Sequence, residues 1–281
     1  MTFQKLILTK RDARLIKLLC DFGLASTEQL SRWIFKKINR TTVLRRLRRL
    51  EKGDYIRKRA ALQNATAVWV LGVNGEKFLG SIPRRHYFPA HQLEHEITSN
   101  EIRWHLYSLS VVKNWMTEWY LKRAALGKAE VKNRSSHYQI PDALVLFKFF
   151  LKQDSAVKLE VELSLKSEMR YREKFKRYHN DRNYTDTFTW YFVKTDTMGD
   201  SILRYVKRHS QVNLDYLIGY TVISDFLEKG LEANLVLRTK ALKLSRAFNI
   251  ETKPQTENKT AQESAQALSS QNEQKDVKLA A

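Results

Sequence analysis

Three segments decide the fold: Ile140-Pro141-Asp142-Ala143-Leu144-Val145-Leu146-Phe147, then Lys158-Leu159-Glu160-Val161-Glu162-Leu163, then Met169-Arg170-Tyr171-Arg172-Glu173-Lys174-Phe175-Lys176-Arg177-Tyr178. The first opens an apolar run immediately after a proline. The second alternates carboxylates with Leu159, Val161 and Leu163, so a strand would carry Glu160 and Glu162 on one face. Two carboxylates on a buried face are costly unless something positive neutralises them. A divalent metal would do so, and Asp142 at the edge of a neighbouring strand would complete an oxygen-rich site. The pattern suggests a metal-dependent nuclease core, with the third segment as a basic helix behind it.

Composition agrees with a polyanionic partner. The chain has 281 residues and a formal charge of +20, with a pI near 9.9. Such a balance points to nucleic acid or an acidic membrane surface. The longest apolar run, Ala143 to Leu151, is interrupted by Lys148 and is too short to span a bilayer, so no membrane span is expected. No charged-then-apolar leader follows Met1, and Cys20 is the single cysteine. A cytoplasmic protein without internal disulfides is therefore expected. Residues 1–90 hold +14 of the charge, and residues 250–281 hold −1.

The basic N-terminal third reads as three helices and a hairpin. Thr9 caps a helix that Gly23 ends, and Ser26 with Gln29 has the spacing of a capping box. Asn39 caps a third helix with Val43, Leu44, Leu47 and Leu50 inside and Arg40, Arg45, Arg46, Arg48 and Arg49 around the rest. Segments 55–58 and 67–71 read as strands about a turn at Gln63-Asn64. This is the order of a winged helix-turn-helix, whose third helix would lie in the major groove, with Arg57 and Lys58 on the wing. Guanidinium forks suit phosphates and guanine edges. A solvated basic face on a plain helical bundle is the alternative.

A short helix over 72–79 closes this module. The expected divisions are a winged-helix domain at 1–80, a linker at 81–90, an α/β domain at 91–249 and a disordered tail at 250–281. In the second domain the spacing predicts a helix over 91–109 and a strand within 111–120 carrying Trp115 and Trp119. Strands at 140–150 and 157–165, a helix at 167–180, a strand at 188–193, a helix near 200–208 and a strand at 217–222 follow. Helices and strands in this order indicate an α/β sandwich around a small mixed sheet, and the whole chain is α+β.

Pro141-Asp142 followed by Glu160-x-Glu162 resembles the PD-(D/E)XK restriction-endonuclease-like nucleases. Glu162 stands where that family has its usual lysine. Lys166, or Lys174 on the next helix, would then be the displaced lysine. The resemblance implies Mg²⁺ or Mn²⁺ on Asp142, Glu160 and the Val161 carbonyl.

Joined to a winged helix, with the helix around His95, the PDALV and LEVE runs and the Lys174…Tyr178 helix, the chain is similar to replication-relaxation proteins. Within that neighbourhood it resembles the MobC-type relaxases of mobilisable plasmids. That likeness covers about residues 10–225. It implies binding of double- and single-stranded DNA at a transfer origin and strand-specific nicking. It also implies an accessory mobilisation protein and a coupling protein as partners, which the tail could recruit. A relaxase nucleophile would be sought among Tyr178, Tyr171 and Tyr138. A DNA-binding regulator on an inactive nuclease fold and a hydrolytic endonuclease are the two other readings.

Overall fold

The computed structural model describes residues 6–61, 67–80, 88–126, 140–148, 150–180, 187–209 and 217–250. The chain divides into two compact units, 1–101 and 102–281. The turn at Gln63-Asn64, most of the linker expected at 81–90, Tyr138, and the tail expected to be disordered from 250 lie outside the described residues, apart from the tail's first residue.

The first unit runs α1 (Lys10–Phe22), β1 (Leu24–Ser26), α2 (Thr27–Trp33), α3 (Arg40–Lys52), β2 (Ile56–Ala61), β3 (Ala67–Leu71) and α4 (Val73–Phe78). The predicted capping box of Ser26 with Gln29 forms at α2, and the Thr9 cap at α1 closes as a second box with Asp12, which the sequence reading had not proposed. Asn39 caps α3 through the Thr42 amide. Strand β1 was not anticipated; three residues are too few for a periodic signal. It pairs with β3, so the antiparallel sheet has the order β1-β3-β2. Leu15, Ile16, Leu19, Leu30, Val43, Leu47 and Leu50 fill the core beneath the sheet. Leu44, expected inside, is only partly buried.

One buried charge ties α1 to α3. Asp12 is 1 % exposed, and the Arg46 guanidinium holds it, with Nε at 2.9 Å from Oδ1 and a second, shorter contact. Arg46 also donates to the Ile7 carbonyl at 3.1 Å. Desolvation pushes the Asp12 carboxyl up, but Arg46 and Thr9 outweigh it and hold the group below the usual range.

Helix α5 (Leu93–Ser108) crosses the boundary between the units. Within the first unit, Glu101 accepts from Arg32 at 2.7 Å and from Gln29 at 3.0 Å, and Asn100 donates to the Phe22 and Leu24 carbonyls. These polar residues are structural.

The second unit continues with β4 (Val112–Thr117), α6 (Glu118–Leu126), β5 (Ala143–Phe147), β6 (Ser155–Glu162), α7 (Glu168–Asn180), β7 (Phe188–Val193), α8 (Asp196–His209), β8 (Ile218–Val222), α9 (Ile223–Lys229), β9 (Asn234–Leu237), β10 (Ala241–Lys243) and α10 (Leu244–Ala247). Trp119, expected on a strand, falls on α6 instead. Strands β9 and β10 were not anticipated.

The seven-stranded sheet has the order β10-β9-β8-β7-β6-β5-β4. Strands β6, β7 and β8 are parallel, and both flanks are antiparallel. The parallel centre is joined through α7 and α8, as parallel strands require a crossover. These helices pack with Tyr171, Phe175, Tyr191, Val193, Ile202 and Tyr220 on one face. On the other, Ile102, Leu106, Leu159, Val161, Trp190, Phe192, Phe226 and Phe248 form the larger core. Helix α8 can lie flat on β8 only because residue 199 is glycine. A Cβ there would meet the Tyr220 ring at 2.4 Å.

Asp12→Ala removes both a cap and the partner of a guanidinium that is mostly buried. It is expected to lower the unfolding free energy by about 2–4 kcal/mol, measured by urea denaturation of the full chain. A loss under about 0.5 kcal/mol would show the pair to be dispensable.

Candidate active site and basic helix

Strand β6 is sandwiched, so its odd residues meet the larger core and its even residues face α7. Lys158, Glu160 and Glu162 are 2 %, 4 % and 2 % exposed. Sequence alternation had placed the two glutamates together but had not used Lys158, which has the same parity.

The positive partner comes from α7. Lys174 Nζ lies 2.8 Å from Glu160 and 3.6 Å from Glu162. Lys166, on the turn before α7, bonds Glu162 at 3.0 Å and remains largely exposed. Tyr178, one turn beyond Lys174, donates its hydroxyl to Glu160. Lys158 stacks on the Tyr178 ring at 4.3 Å, and Lys174 sits 5.3 Å from the Tyr191 ring centre.

Asp142 reaches the same place from β5. Ala143 pairs with Leu159, so the residue before it continues the register opposite Glu160. Pro141 precedes it, and the Val161 amide bonds the Asp142 carboxylate at 2.8 Å. Asp142 thus finishes the ladder with its side chain while standing beside Glu160. Just past the end of β4, the amide of Glu118, first residue of α6, donates to the Asp142 carbonyl at 2.9 Å.

Asp142, Glu160, Val161, Glu162, Lys166, Lys174 and Tyr178 therefore converge on one corner of the sheet. Tyr171 lies deeper, 1 % exposed in the α7–α8 core. His95 falls in the other unit. Tyr191 is the further residue that sequence reasoning missed. Among the described residues its buried hydroxyl has no hydrogen-bond partner, and inside an aromatic-rich strand nothing marked it as different from Trp190 or Phe192.

Burial pushes the Glu160 carboxyl up to about 7; Lys174 opposes this and the Asp142 charge adds to it. Desolvation works against the Lys174 ammonium, yet Glu160, Tyr191 and Glu162 more than offset it and hold its pKa well above the ordinary lysine value. Burial, then the Glu160 charge, raise the Tyr178 phenol far above its usual range. Tyr178 is thus a neutral donor that anchors Glu160.

The carboxylate donors are all oxygen, the set that suits Mg²⁺ or Mn²⁺ rather than softer metals. Among the described residues no three His, Cys, Asp or Glu side chains converge as ligands. Magnesium needs only one or two carboxylates and keeps its waters. Asp142 and Glu160 are such a pair by residue type, and the Asp142 charge opposes ionisation of Glu160, which a cation would relieve, while Tyr178 and Lys174 already engage both Glu160 oxygens.

The other candidate surface is α3. Thr41, Leu44, Arg45, Arg48, Arg49 and Lys52 line an open groove of about 550 Å³. Their spacing follows one helical face, opposite Val43, Leu47 and Leu50. Arg40 pairs with Glu28 at 2.9 Å and Arg57 with Asp54 at 2.7 Å. Lys58 is exposed on β2. Arg46, grouped with these by sequence, is instead committed to Asp12.

The sequence pattern of the replication-relaxation family matches residues 16–189. The chain belongs to the replication-relaxation family. The match takes in the first unit from the middle of α1 onward and the second as far as the start of β7, including Asp142, Glu160 and Lys174. No curated protein and no solved structure matches. Membership points to a role in replication or relaxation of plasmid DNA. Among the described residues no helix is long and apolar enough to cross a membrane.

A glutamate raised in the folded state stabilises the fold while it stays protonated. Its contribution is fully present below an ordinary glutamate's pKa of 4.5 and is lost as pH rises through about 7. Glu160→Gln is expected to flatten the fall in thermal midpoint across that window relative to the parent protein. Parallel curves would show that Glu160 titrates like a surface carboxylate.

Proposed function

We propose that this replication-relaxation protein is a metal-dependent, strand-nicking DNA endonuclease of the MobC relaxase type, acting at a plasmid transfer origin. The observation that carries the reading is the cross-strand pair Asp142 and Glu160 with the Lys174 ammonium 2.8 Å from Glu160. Two adjoining strands and the following helix supply these groups, as the PD-(D/E)XK resemblance requires, with the lysine moved onto the helix.

The order helix–strand–helix–helix–strand–strand, with sheet order β1-β3-β2, supports a winged helix for the first unit. Arg45, Arg48 and Arg49 on the exposed face of α3 would enter the major groove, and Arg40, Arg57 and Lys58 would grip flanking phosphates.

Asp142, Glu160 and the Val161 carbonyl would hold Mg²⁺ or Mn²⁺. When bound, the ion would polarise the scissile phosphate and acidify a water. The protein's own part is positional. Tyr178 fixes Glu160, and Glu162 holds Lys166 and Lys174 where they would meet the charge that develops on a phosphate. Because Tyr178 is buried and held neutral, water is the better nucleophile in this geometry. A covalent tyrosyl link would need Tyr178 to leave Glu160.

A second reading has its own support. Lys174 lies within reach of both buried carboxylates, the arrangement of a purely structural ion cluster. On that reading the fold is a retired nuclease, and the protein regulates replication or transcription by binding alone.

Purified protein with supercoiled plasmid bearing the cognate origin separates the two. With Mn²⁺, open circles are expected that EDTA, Asp142→Ala and Glu160→Ala each abolish. A DNA end blocked until protease treatment would identify a tyrosyl relaxase, and a free end would identify hydrolysis. Absence of nicking alongside tight origin binding would select the regulator.

Binding itself is expected to rest on α3. Replacing Arg45, Arg48 and Arg49 by Ala should weaken origin binding by about tenfold or more and reduce its salt dependence. Unchanged affinity and salt slope in a filter-binding titration would remove α3 from the interface.

A further inference from the structure

Where β6 gives way to α7, two large apolar side chains are exposed, Leu165 in the connecting turn and Met169 in the first turn of the helix. Leu165 is 42 % exposed and Met169 is 63 % exposed. They flank Lys166, whose ammonium bonds Glu162 at 3.0 Å. In the second unit the exposed large apolar side chains among the described residues are Tyr120, Leu151, Leu165 and Met169. Two of these four therefore lie within three residues of Lys166. Around them Lys166, Arg170 and Arg172 are exposed and cationic.

Such a combination has a definite match in nucleic-acid chemistry. Leu and Met wedges enter between stacked bases, while neighbouring cations hold the backbone in place. The site also needs such a device. Glu160 and Glu162 are almost wholly buried, so a phosphate in a regular duplex would not come down to them. Opening one base step would free the strand to bend inward. A membrane surface would call for a broader apolar face than two side chains.

We infer that Leu165 and Met169 form a wedge that unstacks duplex DNA beside the scissile phosphate, with Lys166 and Arg170 holding the displaced backbone. The inference rests on the nuclease reading for its location, but not for its readout. Opening is a binding event and is measured without cleavage.

The probe is a set of origin duplexes carrying a fluorescent adenine analogue that brightens on unstacking. They are bound by protein bearing Asp142→Ala so that no strand is cut. Brightening at a step near the nick position is expected. In the same background, Leu165→Ser with Met169→Ser should keep most of the affinity and lose the brightening, and Leu165→Phe with Met169→Phe should restore it. Both positions are exposed, so an unchanged thermal midpoint checks the fold.

With Asp142 intact, the serine variant should nick duplex origin about tenfold or more slowly and recover on an origin with a pre-opened mismatch bubble. Brightening by the serine variant equal to its parent would overturn the wedge, as would bound parent protein that never brightens the duplex. Brightening that depends on Leu165 and Met169, without nicking by any form of the protein, would uphold the wedge and overturn the nuclease reading.

Discussion

Two carboxylates buried two residues apart on one strand stay charged together only beside a buried positive charge. The rest of the second unit is arranged around that constraint. Lys174 reaches the pair only if α7 lies across β6, and α7 lies there because Tyr171 and Phe175 are buried between the sheet and α8. Tyr178, Lys158 and Lys166 then complete a row of alternating charges and hydroxyls along one face. A buried ion cluster of this kind contributes little net stability against an apolar equivalent, but removing one member is costly. It therefore specifies an arrangement more than it strengthens the fold.

The first unit meets a smaller version of the same constraint. Asp12 is buried, and its neutralising partner is taken from the arginine-rich helix α3. One arginine is thereby fixed inward, and the exposed stripe of Arg45, Arg48 and Arg49 is oriented away from the core. The excess positive charge and the internal ion pair thus depend on the same helix.

Much of this was legible in the sequence, and for local reasons. Caps, alternation and helical spacing are short-range signals, so Thr9, Ser26, Asn39, β5, β6 and α7 could be read directly. The nuclease and relaxase resemblances brought Lys174 and Tyr178 into consideration as a displaced lysine and a nucleophile. What escaped depended on tertiary partners. Arg46 is indistinguishable from Arg45 until Asp12 is found buried beside it. Lys158 shares parity with Glu160, yet a strand lysine is ordinarily assumed to face solvent. Strands β1, β9 and β10 have three or four residues each, too few for any period. Trp119 was assigned to a strand because its spacing from Trp115 suits either a helix or an alternating strand.

The amide-to-carboxylate bond between Val161 and Asp142 has an evolutionary consequence. Asp142 supplies the acceptor for the Val161 amide just before β5 begins, so selection for folding alone would preserve it in a lineage that had abandoned chemistry. Its persistence among descendants would report architecture. Lys166 is exposed and bonds Glu162 from the solvent side, so a change there costs the fold less than one at Asp142, and sequence drift there would date the retirement of the enzyme.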